Sequence, residues 1–121
     1  MAAILIVEDE IFTRDLAGMF LEDVGHLVLL AGTVEEALPF LQSDQPIDAL
    51  FTDIYLKTAA FGGCELARMA VAMRPTLRVL YTTGNTTTPE LLATFVLGSH
   101  FLCKPYSPEQ LQWSVHGMLA N

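Results

Sequence analysis

Three features of this 121-residue chain predict an α/β fold built on a parallel sheet. Five apolar runs of strand length alternate with segments whose hydrophobic residues recur at helical spacing, and the connections are short. Polar residues directly follow four of the five runs. Alternation of this kind implies a parallel sheet covered by helices on both faces, with right-handed crossovers. The predicted strands are residues 3–7, 27–31, 49–52, 77–81 and 101–103.

The first predicted helix follows the first strand. Phe12, Leu16, Met19 and Phe20 recur there at positions i, i+4, i+7 and i+8. This spacing predicts that the four side chains form the core-facing side of the helix, which Gly25 is expected to end.

Start signals mark three of the later helices. Residues 33–36 have the pattern of a capping box, and a proline stands at the first helical position in residues 88–90 and 107–110. Pro39 weakens the second helix locally. The residues expected to face the core are Val34, Leu38 and Leu41 in the second helix, Leu66, Met69, Ala70 and Met73 in the third, Leu92, Phe95 and Val96 in the fourth, and Leu111, Val115 and Met118 in the fifth.

The composition describes one globular domain, with 52% hydrophobic and 17% charged residues. Its 14 acidic residues against six Lys and Arg give a net charge of −8, which argues against nucleic acid as a direct ligand. No apolar run is long enough to span a membrane, and Met1 leads into a strand without a signal segment. Cys64 and Cys103 form neither a disulfide framework nor a metal-ligand pattern. We therefore expect residues 1–121 to form a single cytoplasmic domain.

Charged and polar side chains cluster at the ends of the predicted strands. Glu8 and Asp9 follow the first strand, Asp53 follows the third, Thr83 stands just beyond the fourth, and Lys104 follows the fifth. The carboxyl ends of parallel strands meet at one edge of the sheet, and open α/β sheets bind their ligands there. The sequence thus predicts that carboxylates, a hydroxyl and an ammonium group share one site.

Convergence of Glu8, Asp9 and Asp53 has an electrostatic consequence. Two carboxylates about 4 Å apart repel by roughly 4 kcal/mol at an effective dielectric constant of about 20. A bound proton or cation must offset this repulsion, and oxygen ligands suit Mg²⁺ or Mn²⁺. Asp53 is the natural nucleophile for a phosphoryl group, and Lys104 and Thr83 can stabilise the charge on its oxygens.

Along essentially its whole length, the chain resembles the receiver domains of two-component response regulators. Residues 4–10 resemble the opening strand and acidic pair of that family. Asp53 matches the phosphoacceptor, Thr83-Gly84 the hydroxyl and small residue, and Lys104-Pro105 the lysine with its following proline. Phe101 falls at the aromatic switch position. No single motif is specific, but their order and spacing together are.

The resemblance implies a flavodoxin-like (βα)5 fold, a three-layer sandwich with parallel strand order 2-1-3-4-5. It also implies that the Lys104-Pro105 peptide bond is cis. By the same resemblance, the metal ligands are Asp9, Asp53 and the backbone carbonyl of Tyr55, and Glu8 acts through a water molecule.

The resemblance further implies a signalling mechanism. A phosphohistidine on a histidine kinase or histidine phosphotransfer domain donates its phosphoryl group to Asp53. Thr83 moves toward the new phosphate, and Phe101 rotates into the space that Thr83 leaves. The face formed by the fourth helix, fifth strand and fifth helix then changes for an unidentified downstream protein, through a population shift between two packings. Such a domain assists its own phosphorylation and dephosphorylation and is not an enzyme.

Two other interpretations remain open from the sequence. In the first, the chain is a pseudo-receiver, a protein-interaction domain whose phosphorylation site is inert. The unusual loop of residues 57–63, with Lys57 where many family members have proline, supports this view. In the second, the chain is an enzyme such as an aspartyl phosphatase. That class has a second acid two residues after the nucleophile, where this chain has Tyr55.

Tyr55 and Asn85 also occupy positions that in this family help govern access of the hydrolytic water.

Overall fold

The structure is a computed structural model that describes residues 1–57 and 62–120. Strands and helices alternate along these residues as predicted. The strands are β1 (Ala3–Val7), β2 (Leu27–Ala31), β3 (Ala49–Asp53), β4 (Arg78–Thr83) and β5 (His100–Cys103), and the helices are α1 (Ile11–Glu22), α2 (Val34–Gln42), α3 (Gly62–Met73), α4 (Pro89–Leu92) and α5 (Pro108–Leu119).

The strands form one parallel sheet in the order β2-β1-β3-β4-β5. This confirms the flavodoxin-like strand order that the resemblance implied. Leu5 of β1 is in register with Leu29 of β2 and Leu50 of β3, so β1 lies between those two strands. Because all the strands run the same way, their carboxyl ends lie along one edge of the sheet.

Two hydrophobic clusters cover the two faces of the sheet and make it the middle layer of a sandwich. Along β1, Ile4 and Ile6 belong to one cluster, whereas Leu5 and Val7 belong to the other. This is the alternation that a strand buried on both faces requires. Side chains of α1 and α5 complete the cluster around Ile4, and side chains of α2 and α3 complete the cluster around Leu5.

The prediction for the inner face of α1 is wrong in three of its four residues. Phe12, Leu16 and Met19 are 79%, 46% and 55% exposed. The buried residues of the helix are instead Ala17, Gly18 and Leu21. Small residues let the helix lie close to β2, since a Cβ atom added to Gly18 would meet the side chains of β2 at 3.4 and 3.5 Å. The large apolar residues consequently lie on the outer face.

The same exchange of faces occurs in part of α3. Leu66 and Ala70 are buried as predicted, but Met69 and Met73 are exposed. Ala67 takes part in the core beside Leu66. Here again a small residue lies against the sheet, and flexible methionines lie at the margin.

The fourth helix was predicted to extend through Val96, and this prediction is wrong, because α4 is a single turn that ends at Leu92. Leu91 is buried in place of Leu92. Beyond the helix, the ring of Phe95 stacks on Tyr81 with centroids 4.1 Å apart, and the backbone N–H of Val96 donates to the Tyr81 hydroxyl at 3.0 Å. Val96 therefore uses its N–H in a bond to a side chain and not in a helical bond.

The predicted helix starts agree with the structure. Thr33, Thr88 and Ser107 each accept a hydrogen bond from a backbone N–H of the first turn that follows. The capping box is complete at Ser107, whereas the carboxylate of Glu36 accepts instead from the N–H of Gly32 at 2.6 Å. Among the described helices, none is long and apolar enough to cross a membrane.

Candidate functional site

All five strands end at one edge of the sheet, and four of them supply a predicted site residue. Glu8 directly follows β1, Asp53 is the last residue of β3, Thr83 is the last residue of β4, and Lys104 directly follows β5. Asp53 is in register with Thr82, so the ends of β3 and β4 lie side by side. The topology thus gathers residues that are distant in the sequence.

The ammonium group of Lys104 lies between two buried carboxylates. Its Nζ is 2.6 Å from Oε1 of Glu8 and 2.7 Å from Oδ2 of Asp53. Glu8 is only 4% exposed and Asp53 7% exposed, so both contacts form where water screens them weakly. Lys104 therefore offsets part of the negative charge of these two carboxylates.

Burial and hydrogen bonding set the pKa values of Glu8 and Lys104. Burial raises the pKa of Glu8, against the opposing effect of hydrogen bonds from Lys104 and from the backbone N–H of Glu10. Burial by itself would lower the pKa of Lys104, but the hydrogen bonds to Asp53 and Glu8 outweigh it, and the net shift of that pKa is upward. Lys104 is thus held firmly in its charged form. Burial also raises the pKa of the nearby Tyr106 to about 12, which keeps that phenol neutral.

The main chain fixes the position of Asp53. Its Oδ1 accepts a hydrogen bond from the N–H of Tyr55 at 3.2 Å, and the N–H of Ile54 donates to the carbonyl of Thr82 at 3.0 Å. The start of α3 also packs on Ile54, because the N–H of Gly63 donates to the carbonyl of Ile54 at 3.1 Å. A Cβ atom at Gly63 would lie 1.9 Å from the Asp53 carbonyl oxygen, so this close approach requires glycine.

Asp9 completes the acidic group. Its carboxylate accepts a hydrogen bond from the backbone N–H of Lys57, which ties the segment after β3 to the loop after β1. Glu8, Asp9 and Asp53 each offer an oxygen, and these oxygens lie within 4.8 Å of one another. A set of carboxylate oxygens at this spacing fits a small, hard divalent cation such as Mg²⁺ or Mn²⁺.

Thr83 ends β4 next to Lys104, whereas Phe101 lies earlier on β5, and neither belongs to the acidic group. Thr83 is buried, and its hydroxyl accepts from the N–H of Asn85 at 3.1 Å. Its carbonyl accepts from the N–H of Lys104 at 3.1 Å, which joins the ends of β4 and β5. Phe101 is half-buried, and its ring is stacked 6.2 Å from that of Phe95. The Lys104-Pro105 peptide bond is cis.

Sequence reasoning missed two residues that act at this edge. Gly63 is one, and Arg14 is the other, since its Nη1 donates to the backbone carbonyl of Glu8 at 3.2 Å. The sequence places Arg14 six residues after Glu8, but this spacing predicts the contact only once the side of α1 that faces the sheet is known. Of the loop noted in the sequence, residues 58–61 lie outside the described residues.

Comparison with known proteins decides the family. Residues 4–116 match the family model described as response regulator receiver domain. The chain belongs to this family. Receiver domains are signalling modules of two-component systems and not conventional enzymes, and the acidic pocket of Glu8, Asp9 and Asp53 is present here. An inert pseudo-receiver is not favoured, because the acids and Lys104 are all brought together.

Solved receiver structures superpose on this receiver domain along nearly its full length. A response regulator receiver protein from Sinorhizobium medicae has a TM-score of 0.89 and 28% identity, covering 98% of this chain and 94% of that one. NtrX from Brucella abortus has a TM-score of 0.86 and 26% identity, covering 98% of this chain but 27% of that protein. The likeness to NtrX is thus confined to one part of a longer protein.

The curated relatives are also longer than this receiver domain. A probable transcriptional regulatory protein of Picosynechococcus is 32% identical over 117 residues, which are 91% of this chain and 46% of the relative. A putative NtrX-like response regulator of Rickettsia felis is 27% identical over 109 residues, which are 89% of this chain and 23% of the relative. The chain therefore spans less than half the length of these relatives.

Proposed function

We propose that this receiver domain accepts a phosphoryl group on Asp53 from a phosphohistidine, with Mg²⁺ or Mn²⁺ bound at the acidic edge. The observation that carries the proposal is the position of Lys104, whose ammonium lies within 2.7 Å of both Glu8 and Asp53 beside a third carboxylate. A cation and three oxygen ligands around one buried nucleophile suit phosphoryl transfer. The donor would be a histidine kinase or a histidine phosphotransfer domain.

The cation would be held by Asp9, Asp53 and the backbone carbonyl of Tyr55, with Glu8 acting through water. When bound, such an ion neutralises the carboxylates and draws negative charge from the phosphoryl oxygens. Asp53 is well placed for this because its carboxylate is oriented by the N–H of Tyr55 and buried to 7% exposure. The Asp9 carboxylate, fixed by the N–H of Lys57, faces the same space.

Transfer requires one bond to form and one to break. An oxygen of the Asp53 carboxylate attacks phosphorus, the P–N bond to the donor imidazole breaks, and the bonding electron pair leaves with the imidazole nitrogen. The Lys104 ammonium turns from Asp53 to the phosphoryl oxygens, and the Thr83 hydroxyl donates to one of them. Lys104 is suited to this step because its pKa is raised and it stays charged.

The phosphorylated state would be read on the face built from α4, β5 and α5. Movement of Thr83 toward the phosphate would open space for Phe101, which is half-buried and stacked on Phe95. The acyl phosphate is a product that the domain also helps to hydrolyse. The downstream partner would be a protein, since a net charge of −8 does not favour direct contact with nucleic acid.

We also propose that residues 1–121 form one receiver domain and that it works in the cytoplasm. The two cysteines are free, and Cys64 is buried. This agrees with a reducing compartment.

The proposal is tested by incubating the domain with acetyl phosphate and Mg²⁺ and measuring the intact mass. We expect the mass of one phosphoryl group to be added, and both removal of Mg²⁺ and the variant Asp53→Asn to abolish it. Asp48→Asn is the matched control, because Asp48 is distant from the site and caps the N–H of Ala3. A mass gain that persists in Asp53→Asn would overturn the proposal, as would no gain with a donor that modifies another receiver domain in the same reaction.

A further inference from the structure

The main chain and side chain of Glu8 are held on every side. The N–H of Glu8 donates to the carbonyl of Ala31 in β2 at 3.1 Å, and its carbonyl accepts from Nη1 of Arg14 at 3.2 Å. On the side chain, Oε2 accepts from the N–H of Glu10 at 3.2 Å, and Oε1 contacts Lys104. Arg14, in the first turn of α1, holds Glu8 through a side chain that has no role in the proposed chemistry.

Space for the Arg14 guanidinium depends on Gly32. A Cβ atom at Gly32 would lie 2.6 Å from Nη1 of Arg14 and 3.1 Å from Oε1 of Glu36. Among the described glycines, those with a positive φ are Gly25 and Gly98, so Gly32 is not required for its backbone conformation. Its lack of a side chain matters because the guanidinium passes directly over it.

We propose that Arg14 is a positioning residue for the acidic pair, and that Gly32 is the opening through which it reaches Glu8. This inference rests on the proposed metal-dependent function of the site. Glu8 and Asp9 share a peptide unit, so a bond that fixes the carbonyl of Glu8 fixes the direction from which both carboxylates leave the main chain. Groups that orient ligands in this way commonly change metal affinity by about 10- to 100-fold when they are removed.

A purely electrostatic role for Arg14 predicts the opposite sign. A positive charge near three carboxylates repels a divalent cation, so its removal would tighten Mg²⁺ binding. The two roles are separated by Gly32→Ala, because that variant displaces the guanidinium and keeps its charge.

The experiment compares Arg14→Gln, Gly32→Ala and the double variant. Arg68→Gln removes the same kind of charge from an exposed position of α3, and Gly117→Ala adds a methyl group where a Cβ meets nothing within 4 Å. The dissociation constant for Mg²⁺ is measured by NMR titration of the backbone amides of Glu10 and Lys57. We expect about tenfold weaker binding in each single variant and in neither control, with no further loss when Gly32→Ala is added to Arg14→Gln.

Three results would overturn the inference. They are tighter Mg²⁺ binding in Arg14→Gln, equal affinities for Gly32→Ala and Gly117→Ala, and full additivity in the double variant. If Gly32→Ala does not fold, the sign of the change in Arg14→Gln decides the question alone.

A second readout needs no metal. Hydrogen exchange of the Glu10 amide reports its bond to Oε2 of Glu8, and we expect severalfold faster exchange in Arg14→Gln and Gly32→Ala than in the controls. If the parent domain binds no Mg²⁺, the proposed function fails, and this exchange still decides whether Arg14 holds Glu8. If the parent binds Mg²⁺ and exchange is the same in all variants, the inference about Arg14 fails and the proposed function stands.

Discussion

Lys104 supplies the positive charge that the buried acids of this edge contact. Its ammonium neutralises part of the charge of Glu8 and Asp53, two carboxylates that the fold buries almost completely. Truncating one partner of such a group leaves the others uncompensated, and this costs more than the pair itself contributes. A divalent cation at the same edge would take over the compensation and release Lys104 for the phosphoryl group.

We therefore expect Lys104→Met to lower the free energy of unfolding by roughly 1–3 kcal/mol in metal-free buffer, the usual cost of leaving a buried polar group without its hydrogen-bond partner. Added Mg²⁺ should recover part of that loss, since it supplies the missing positive charge. Urea unfolding with and without Mg²⁺ measures both effects, with the exposed Arg68→Met as control. A loss that Mg²⁺ does not reduce would contradict the role given to Lys104.

His26 provides a test of pH dependence away from the site. Its Nδ1 accepts the N–H of Ala2 at 3.1 Å, and burial, followed by the charges of the N-terminal amine and His116, lowers its pKa from 6.5. The folded domain thus binds a proton at His26 less readily than the unfolded chain does. The stability that neutral His26 contributes is therefore complete above the pKa of the unfolded chain. It is lost as the pH falls from that value through the lower pKa of the folded domain.

We expect the free energy of unfolding to fall between about pH 7.5 and pH 5, and to fall less in His26→Gln, where this proton is not taken up. Urea unfolding across that range measures the two curves. Parallel curves for the parent and the variant would show that His26 does not contribute to the pH dependence.

At the scale of elements, the aromatic group beyond α4 connects the core to the proposed output face. Tyr81 of β4 is fully buried, Phe95 stacks on its ring, and Phe101 of β5 stacks on Phe95. The Tyr81 hydroxyl also accepts the N–H of Val96. Side-chain contacts thus help to fix the chain between α4 and β5, together with backbone bonds such as that from the N–H of Phe95 to the carbonyl of Leu92.

Tyr81→Phe keeps the ring and removes the acceptor for Val96. We expect it to lower the free energy of unfolding by about 1 kcal/mol and to speed hydrogen exchange at the Val96 amide. NMR-detected exchange and urea unfolding give the two values. Unchanged protection of Val96 would mean that the hydroxyl does not hold this segment.

The helices also show what periodicity can and cannot predict. Starts at Thr33, Thr88 and Ser107 were predictable because capping is a local bond between neighbouring residues. The inner face of α1 was not, since large apolar residues occupy its outer face, Ala17 is buried and Gly18 lies against β2. A hydrophobic stripe ranks residues by polarity, but close packing against a strand selects them by size.

At the scale of the whole molecule, the fold brings together residues 96 positions apart, as in the contact between Lys104 and Glu8. Their convergence was predictable because each follows a recognisable strand, and parallel strands place their carboxyl ends at one edge. Arg14 and Gly63 were not predictable, because their contacts depend on how α1 and α3 lie against the sheet. The order of strands and helices can be inferred from the sequence pattern, whereas the close contacts between them depend on packing that the pattern does not specify.

If this edge makes Asp53 a phosphoacceptor, the acyl phosphate on that residue can be located directly by its chemistry. Borohydride reduces an acyl phosphate of aspartate to homoserine, so reduction after treatment with acetyl phosphate and Mg²⁺ marks the modified residue. Peptide mass mapping should find homoserine at position 53 and at no other acidic residue. Homoserine at Asp9 or elsewhere, with Asp53 unmodified, would show that Asp53 is not the phosphoacceptor.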